Sequence, residues 1–346
     1  MAPRTLFIMA VLGAVCPAQD APPMLPATRI WGTAPHSAFT DIVRWKGHFV
    51  CTFREGSGHV PGTNGKARII ASTDGVTWES WALLAEPGID LRDPKVCVMP
   101  DGSLMVNCGG SDYSDGLQGW HTRVAFSDDG KTWTPPRRVR GIPADNWFFR
   151  LTWKDGVGYC MPNITDADPK TGRARTTNRS VALFTTKDGM NYRRASEDLP
   201  LPREACEVTL RFRGEELWGI VRMSGRSDRT GAIIRSAPPY TAYRSAPIKH
   251  GMGGPNLLDL GDGSWLVGTR EYAFERPKGR KGTATVLLRV HPNGTFERLY
   301  EFPSGGDTSY PGFVIHNKEL WMTYYASHEG KTQIYLAKVP LADLRR

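Results

Sequence analysis

An apolar strand, a tight turn and a second apolar or aromatic strand recur six times in this chain, and that repeat constrains the fold more than any other feature. The copies cover residues 42–53, 96–108, 151–161, 208–221, 257–269 and 313–326. They turn at Lys46-Gly47, Asp101-Gly102, Asp155-Gly156, Arg213-Gly214, Asp262-Gly263 and Asn317-Lys318. Positions 47, 102, 156, 214, 263 and 318 are therefore separated by 55, 54, 58, 49 and 55 residues. Alternating apolar positions, rich in β-branched and aromatic residues, mark the flanks as strands. No long helical period interrupts them. Near-equal all-β units of this size, none able to bury its faces alone, are the pattern of radial repetition. The expectation is a β-propeller of six four-stranded antiparallel blades, forming one domain over 36–346. A sandwich with accidental spacing is the alternative.

A second motif lies between these hairpins. Ser72-Thr73-Asp74-Gly75-Val76-Thr77-Trp78 is echoed by Ser127-Asp128-Asp129-Gly130-Lys131-Thr132-Trp133 and by Thr186-Lys187-Asp188-Gly189-Met190-Asn191-Tyr192. An Asp side chain here accepts bonds from nearby backbone N–H groups, and Gly supplies the positive φ that reversal requires. The ring covers the hairpin beneath. Each blade is expected to hold one hairpin of the first kind and a second one, which carries this turn where it occurs.

Composition narrows the function classes. Residues 1–18 read as a secretory signal, with Arg4, an apolar stretch over 6–15 and the small-residue site Cys16-Pro17-Ala18. A Pro-rich leader follows over 19–35, and no run is long enough to span a bilayer. A secreted, released protein is expected, extracellular or periplasmic. The five remaining cysteines lack any CxxC pair, which argues against a zinc site or a disulfide scaffold; one disulfide stays open. Net charge is +9, yet the basic residues are dispersed apart from Arg276-Pro277-Lys278-Gly279-Arg280-Lys281. That pattern fits a solvated loop and the steering of an acidic glycan, with no nucleic-acid partner.

Propellers gather functional groups around one mouth of the axis. Residues at corresponding hairpin ends are therefore the candidates. Arg54-Glu55, Arg222 and Arg270-Glu271 follow the first, fourth and fifth hairpins; Asp93, Arg150, Glu207 and Tyr310 precede the second, third, fourth and sixth. Guanidinium forks from several blades suit a carboxylate or sulfate. Glu207 and Tyr310 have catalytic logic as a pair, because a carboxylate that takes the phenol proton makes a usable nucleophile. Tyr before Pro-Gly also packs at strand entries. Asp307 lies beside Tyr310 and can orient substrate hydroxyls. Trp120, Trp147 and Phe148 lie in loops able to reach the mouth, and His328 in a turn.

The Ser-x-Asp-Gly turns, the six-fold hairpin period and these residues resemble the sialidase superfamily and its bacterial Asp-box members, over most of 36–340. The turns here are one residue shorter than the commonest Asp box, lacking its second Gly. By that resemblance Tyr310 is the nucleophile, Glu207 its base, Asp93-Pro94 lines the pocket, and Arg222 is the partner of Glu207 fifteen residues on. Arg54 resembles the Arg-bearing end of the first hairpin. The pattern also departs. Phe39-Thr40-Asp41-Ile42 stands where an Arg-Ile-Pro stretch supplies the first Arg of the carboxylate-binding triad, so Arg54 or Arg150 would replace it. The third is Arg270 by repeat position, or Arg276 or Arg280 by the loop that follows. No Asp occupies the acid/base place between the first hairpin and the first Asp box, leaving His59 or Asp41 for that role.

The resemblance implies a secreted exo-acting glycoside hydrolase that removes a terminal acidic sugar such as sialic acid from glycans. Its mechanism would be retaining, with Tyr310 attacking the anomeric carbon. No cofactor or metal is expected, and the protein is expected to be a monomer. Two other readings stay open: the same propeller acting on a uronic-acid or neutral-sugar glycan as a hydrolase or polysaccharide lyase, and a non-catalytic propeller that binds carbohydrate or protein.

Overall fold

The computed structural model describes residues 21–59, 64–114, 116–143, 145–167, 174–202, 204–224 and 230–345. The signal-like residues 1–18 and loop positions 60–63 lie outside them. The protein is a six-bladed β-propeller with almost no helix. The first blade is His36–Trp45, His48–Gly56, Lys66–Ser72 and Glu79–Leu84, in antiparallel order from the axis outward. The second runs Ile89–Val98, Leu104–Asp112, Gly119–Ser127 and Arg137–Arg138. The fourth is Ala205–Arg213, Glu216–Met223, Gly231–Ser236 and Arg244–Ile248. The fifth is Gly253–Asp259, Trp265–Glu271, Ala284–Val290 and Phe296–Phe302. The six hairpins of the sequence are the inner two strands of the blades.

Two blades depart from simple repetition. In the third, Thr152–Lys154, Val157–Cys160, Ala174–Thr186 and Tyr192–Asp198 make the four-stranded unit. Its long third strand runs on to pair with Asn163–Ala167, which in turn pairs with Asn146–Trp147. The sixth blade combines Ser309–His316, Glu319–Ala326 and Gln333–Pro340 with an outer strand from the other end of the chain, Thr28–Trp31. The segment 19–35 is thus not wholly a leader. Its strand closes the ring by joining N-terminal to C-terminal chain, and Leu25 and Pro23 clamp onto Glu301 by backbone bonds of 2.9 and 3.0 Å.

The apolar face of each blade is buried against the next blade. Six clusters result, each shared by two neighbours; Phe49, Cys51 and Ile70 of the first blade, for example, meet Trp321, Ile334 and Leu336 of the sixth. Each fully buried aromatic or aliphatic side chain contributes about 1.5–3 kcal/mol. The five described cysteines are free thiols, four buried and Cys97 half-buried, and act as small apolar residues. No described helix is long and apolar enough to cross a membrane.

The repeated Asp-Gly turns join third to fourth strands in the first three blades and also lock blade to blade. Asp74 Oδ1 accepts from the Val76 and Thr77 N–H groups at 2.8 and 2.9 Å, and Ser72 Oγ accepts from Gly75 N at 2.8 Å. Asp129 and Asp188 repeat that pattern. Those N–H groups hold the Asp74 and Asp129 carboxyls down at about 2. Gly75, Gly130 and Gly189 have φ of 73°, 74° and 72°. A Cβ at these positions would collide with Trp321, Trp81 and Met105, each on the preceding blade. Glycine is demanded twice over, by the backbone and by the neighbour.

Candidate active site

One local distortion, repeated five times, builds the mouth. In the innermost strands, two residues oppose one on the next strand at 39–40, 93–94, 207–208, 254–255 and 310–311. Such a bulge re-aims the side chain of its first residue. The five first residues are Phe39, Asp93, Glu207, Gly254 and Tyr310, with φ of 68°, 46°, 46°, 64° and 55°. Four of them are not glycine, so four blades each hold a conformation that costs of order 1–3 kcal/mol. The distortion directs these residues to a common point at the top of the axis.

There the Tyr310 hydroxyl donates to Glu207 Oε1 at 2.7 Å. The same oxygen accepts from Arg222 Nη1 at 2.6 Å, and Glu207 Oε2 accepts from the Gly254 N–H at 2.8 Å. A Cβ on Gly254 would lie 2.5 Å from the Tyr310 ring, so only glycine allows this approach. Burial opposes ionisation of Glu207, but the Arg222 charge and these hydrogen bonds hold its carboxyl below the usual range. Burial, with the charges on Glu207 and Asp93, pushes the Tyr310 phenol well above its ordinary value. Burial also raises Asp93, against Lys95. The pocket thus joins an ionised carboxylate, a protonated phenol beside it and a second carboxyl, Asp93, raised above its ordinary value.

The cavity above has a volume of about 490 Å³ and is lined by Arg92, Asp93, Trp120, Trp147, Arg179, Cys206, Glu207 and Arg222, among others. Arg222 Nη2 also donates to the Tyr272 hydroxyl at 3.3 Å. Arg270 donates to the Thr308 carbonyl at 2.8 Å and to the Tyr325 hydroxyl at 2.7 Å, and its guanidinium lies 5.8 Å from the Tyr310 ring centre. Asp307 sits on the rim. It accepts from His36 Nε2 at 3.0 Å and Tyr325 Oη at 3.0 Å, and pairs with His59 Nδ1 at 3.1 Å. Burial opposes its ionisation, but the two imidazoles hold it well below the usual carboxylate range. Among the described residues this is also the one group whose donor types suit a divalent cation. Its imidazole–carboxylate distances are those of hydrogen bonds.

Several sequence candidates lie away from the mouth. Arg54 occupies the same hairpin position as Arg222 and Arg270, facing Ala38 as they face Cys206 and Gly253. Yet it is fully buried, bidentate on Asp90 at 2.7 and 3.1 Å and bonded to the Gly58 carbonyl at 2.9 Å. A guanidinium so engaged anchors the 57–59 loop and presents nothing to a substrate. Arg150 and Asp41 lie lower, inside the axis, 3.3 Å from each other. Arg150 also donates to Thr209 Oγ1 and to the Pro255 and Pro311 carbonyls, tying blades together. Asp41 is therefore a counter-ion to Arg150, out of reach of a leaving group at the mouth. Phe148 is core, packed 5.3 Å from the Tyr192 ring. His328 packs at a tilt against Tyr335, with ring centres 4.4 Å apart, and does not line the pocket. Arg276 and Arg280 pair with Glu271 and Glu301, away from the mouth.

Arg92, Arg179 and His36 are mouth or rim residues that sequence reasoning did not select. Arg92 is adjacent to Asp93 and was masked by it, although it donates to Asp90 and to the His59 carbonyl. The signal for His36 was its place at the entry of the first inner strand, the class of position used for the other blades.

The chain matches no protein-family model and no curated protein sequence at significant similarity. Solved structures share its fold. A protein of unknown function from Dyadobacter fermentans superposes with a TM-score of 0.72 at 17% identity, over 94% of this chain and all of that one. A Trypanosoma rangeli sialidase bound to the inhibitor DANA gives 0.66 at 10% identity, covering 94% of this chain and 59% of that one. An α-L-arabinofuranosidase from Fusarium graminearum gives 0.65 at 14%, over 92% and 98%. At these identities the likeness is one of fold.

Proposed function

We propose that this protein is a secreted exo-acting glycoside hydrolase that works through a Tyr310–Glu207 pair. The observation that carries the reading is the 2.7 Å bond between the Tyr310 phenol and the Glu207 carboxylate, which lines the pocket at the propeller mouth. A buried phenol above its normal pKa is a poor nucleophile by itself. Glu207 is ionised and in contact, so it can take the proton as Tyr310 attacks the anomeric carbon. A tyrosine nucleophile is an established variation in glycoside hydrolysis, known from sialidases. His59 is the acid of this reading. Asp307 fixes its Nδ1 side, and the opposite ring nitrogen is left to protonate the leaving oxygen and later to activate water. Asp93, at the pocket wall, would contact a ring substituent of the sugar. Trp147, partly exposed at the pocket wall, offers a face on which a sugar can stack, while Trp120 is buried beneath that wall. The solved folds that resemble this one include a sialidase and an arabinofuranosidase, which supports glycan hydrolysis in general.

For the sugar, Arg222 and Arg270, joined by Arg92 across the mouth, favour an acidic terminal residue such as sialic acid. Retention of configuration follows from a covalent glycosyl-tyrosine. A second reading, an uncharged terminal sugar, is favoured by Phe39: it fills the first blade's bulge position, buried against Tyr310 and His59 at 4.9 and 5.1 Å, where a third cation would stand. A panel of fluorogenic glycosides separates them. The acidic reading predicts turnover of an α-sialoside, with Arg270→Met raising KM far more than it lowers kcat. Turnover confined to neutral furanosides or pyranosides would replace it with the second reading. Turnover of no glycoside by a folded protein, with glycan binding retained, would overturn the enzyme itself.

A further inference from the structure

We propose that the propeller axis, beneath the mouth, holds a chloride ion between Lys95, Arg150 and Arg211. A second cavity of about 300 Å³ lies there, and Asp41, Lys95, Asn107, Arg150, Thr152 and Arg211 are among its lining residues. Its charges do not balance. Three cations line it with one carboxylate, Asp41, which is already paired with Arg150, and Asp93 and Glu207 at the mouth above offset only the Lys95 charge in part. Among the described residues no carboxylate lies within 4.0 Å of Lys95 or Arg211. Buried cations without counter-charge are costly, and proteins meet that cost with a partner or an ion.

The hydrogen-bond inventory shows which donors remain. Arg150 spends both terminal nitrogens on Thr209, Pro255, Asp41 and Pro311, while its Nε–H is buried with no partner. Lys95 Nζ donates to the Phe39 and Thr40 carbonyls at 3.1 and 3.0 Å, leaving one of its three donors. Arg211 reaches the Leu210 carbonyl and Asn256 Oδ1 at 2.7 and 2.9 Å and keeps further N–H groups. Planar oxyanions are gripped by two parallel bonds from one guanidinium. Arg150 has no such fork left, and single N–H groups from separate blades suit a spherical halide. Burial, with the charge of Arg150, presses Lys95 down to about 8 and Arg211 to about 10. Burial is the larger cause of each shift and the Arg150 charge adds to it, and an anion beside these cations would oppose both.

Thermal unfolding in sodium chloride against sodium gluconate, at constant ionic strength, tests this without reference to enzymatic activity. The expected result is a saturable rise in Tm with chloride, reproduced by bromide and lost in Arg211→Met, whose half-exposed side chain is replaceable without unfolding the ring. Crystals of the wild type grown in bromide should show an anomalous peak touching Arg150 Nε. Equal Tm in chloride and gluconate would overturn the proposal. So would a sulfate effect as large as that of chloride and unchanged in Arg211→Met, or a bromide-soaked crystal with no peak in the axis.

Discussion

Tyr310→Phe is expected to lower kcat by at least about 10³-fold on the best substrate, with KM changed little, because removing a nucleophile removes an interaction made only as the reaction proceeds. The substitution is close to a pure deletion of the hydroxyl. The ring would still pack against Phe39 and Phe149 at 4.9 and 5.6 Å, and Glu207 would keep its bonds from Arg222 and Gly254. Stability should therefore hold, and circular dichroism with a melting curve checks that alongside the kinetics. A kcat within tenfold of wild type would mean that Tyr310 only positions Glu207. Glu207→Gln serves as the companion. It keeps the shape but removes the base, and it should be as inactive while leaving Arg222 without its counter-charge.

Arg150→Met should show the reverse behaviour, a large loss of stability. Arg150 is almost fully buried and binds Thr209, Pro255, Pro311 and Asp41, so four blades of the ring meet on one guanidinium in the third. Methionine fills much of the volume but leaves Asp41 buried and unpaired, while the Pro255 and Pro311 carbonyls keep their bonds from Thr209 and Asn256. Breaking a buried pair in this way costs about 3–5 kcal/mol. Denaturant unfolding should report that loss through the midpoint. If the midpoint stayed while KM rose, Arg150 would belong to substrate binding after all.

These two residues show what the sequence could and could not convey. Both were selected for the same reason, as polar residues at the entry of an inner strand. Tyr310 is the first residue of a bulge and faces the mouth; Arg150 stands lower, in the layer with Asp41, and faces the axis. A one-residue bulge decides between those directions, and no local signal in the residue types announces it. The hairpin period was legible because strand alternation and turn glycines repeat whatever their surroundings. The Asp-Gly turns were legible because their bonds are internal to seven residues. Arg54 was read at its true repeat position, equivalent to Arg222 and Arg270. Its fate was set by Asp90, a residue of the neighbouring blade that sequence distance hides. Likewise Thr28–Trp31 has no strand partner in its own neighbourhood, so its place in the sixth blade could not be seen from the N-terminal segment alone.

The most direct test of the account is to trap the intermediate. The enzyme would be incubated with a fluorinated glycoside of the preferred sugar carrying a good leaving group, then digested and mapped by mass spectrometry. The account predicts a glycosyl increment on the peptide that contains Tyr310, absent from Tyr310→Phe. An increment on Asp93 or Glu207, or turnover with inverted configuration and no increment anywhere, would contradict it.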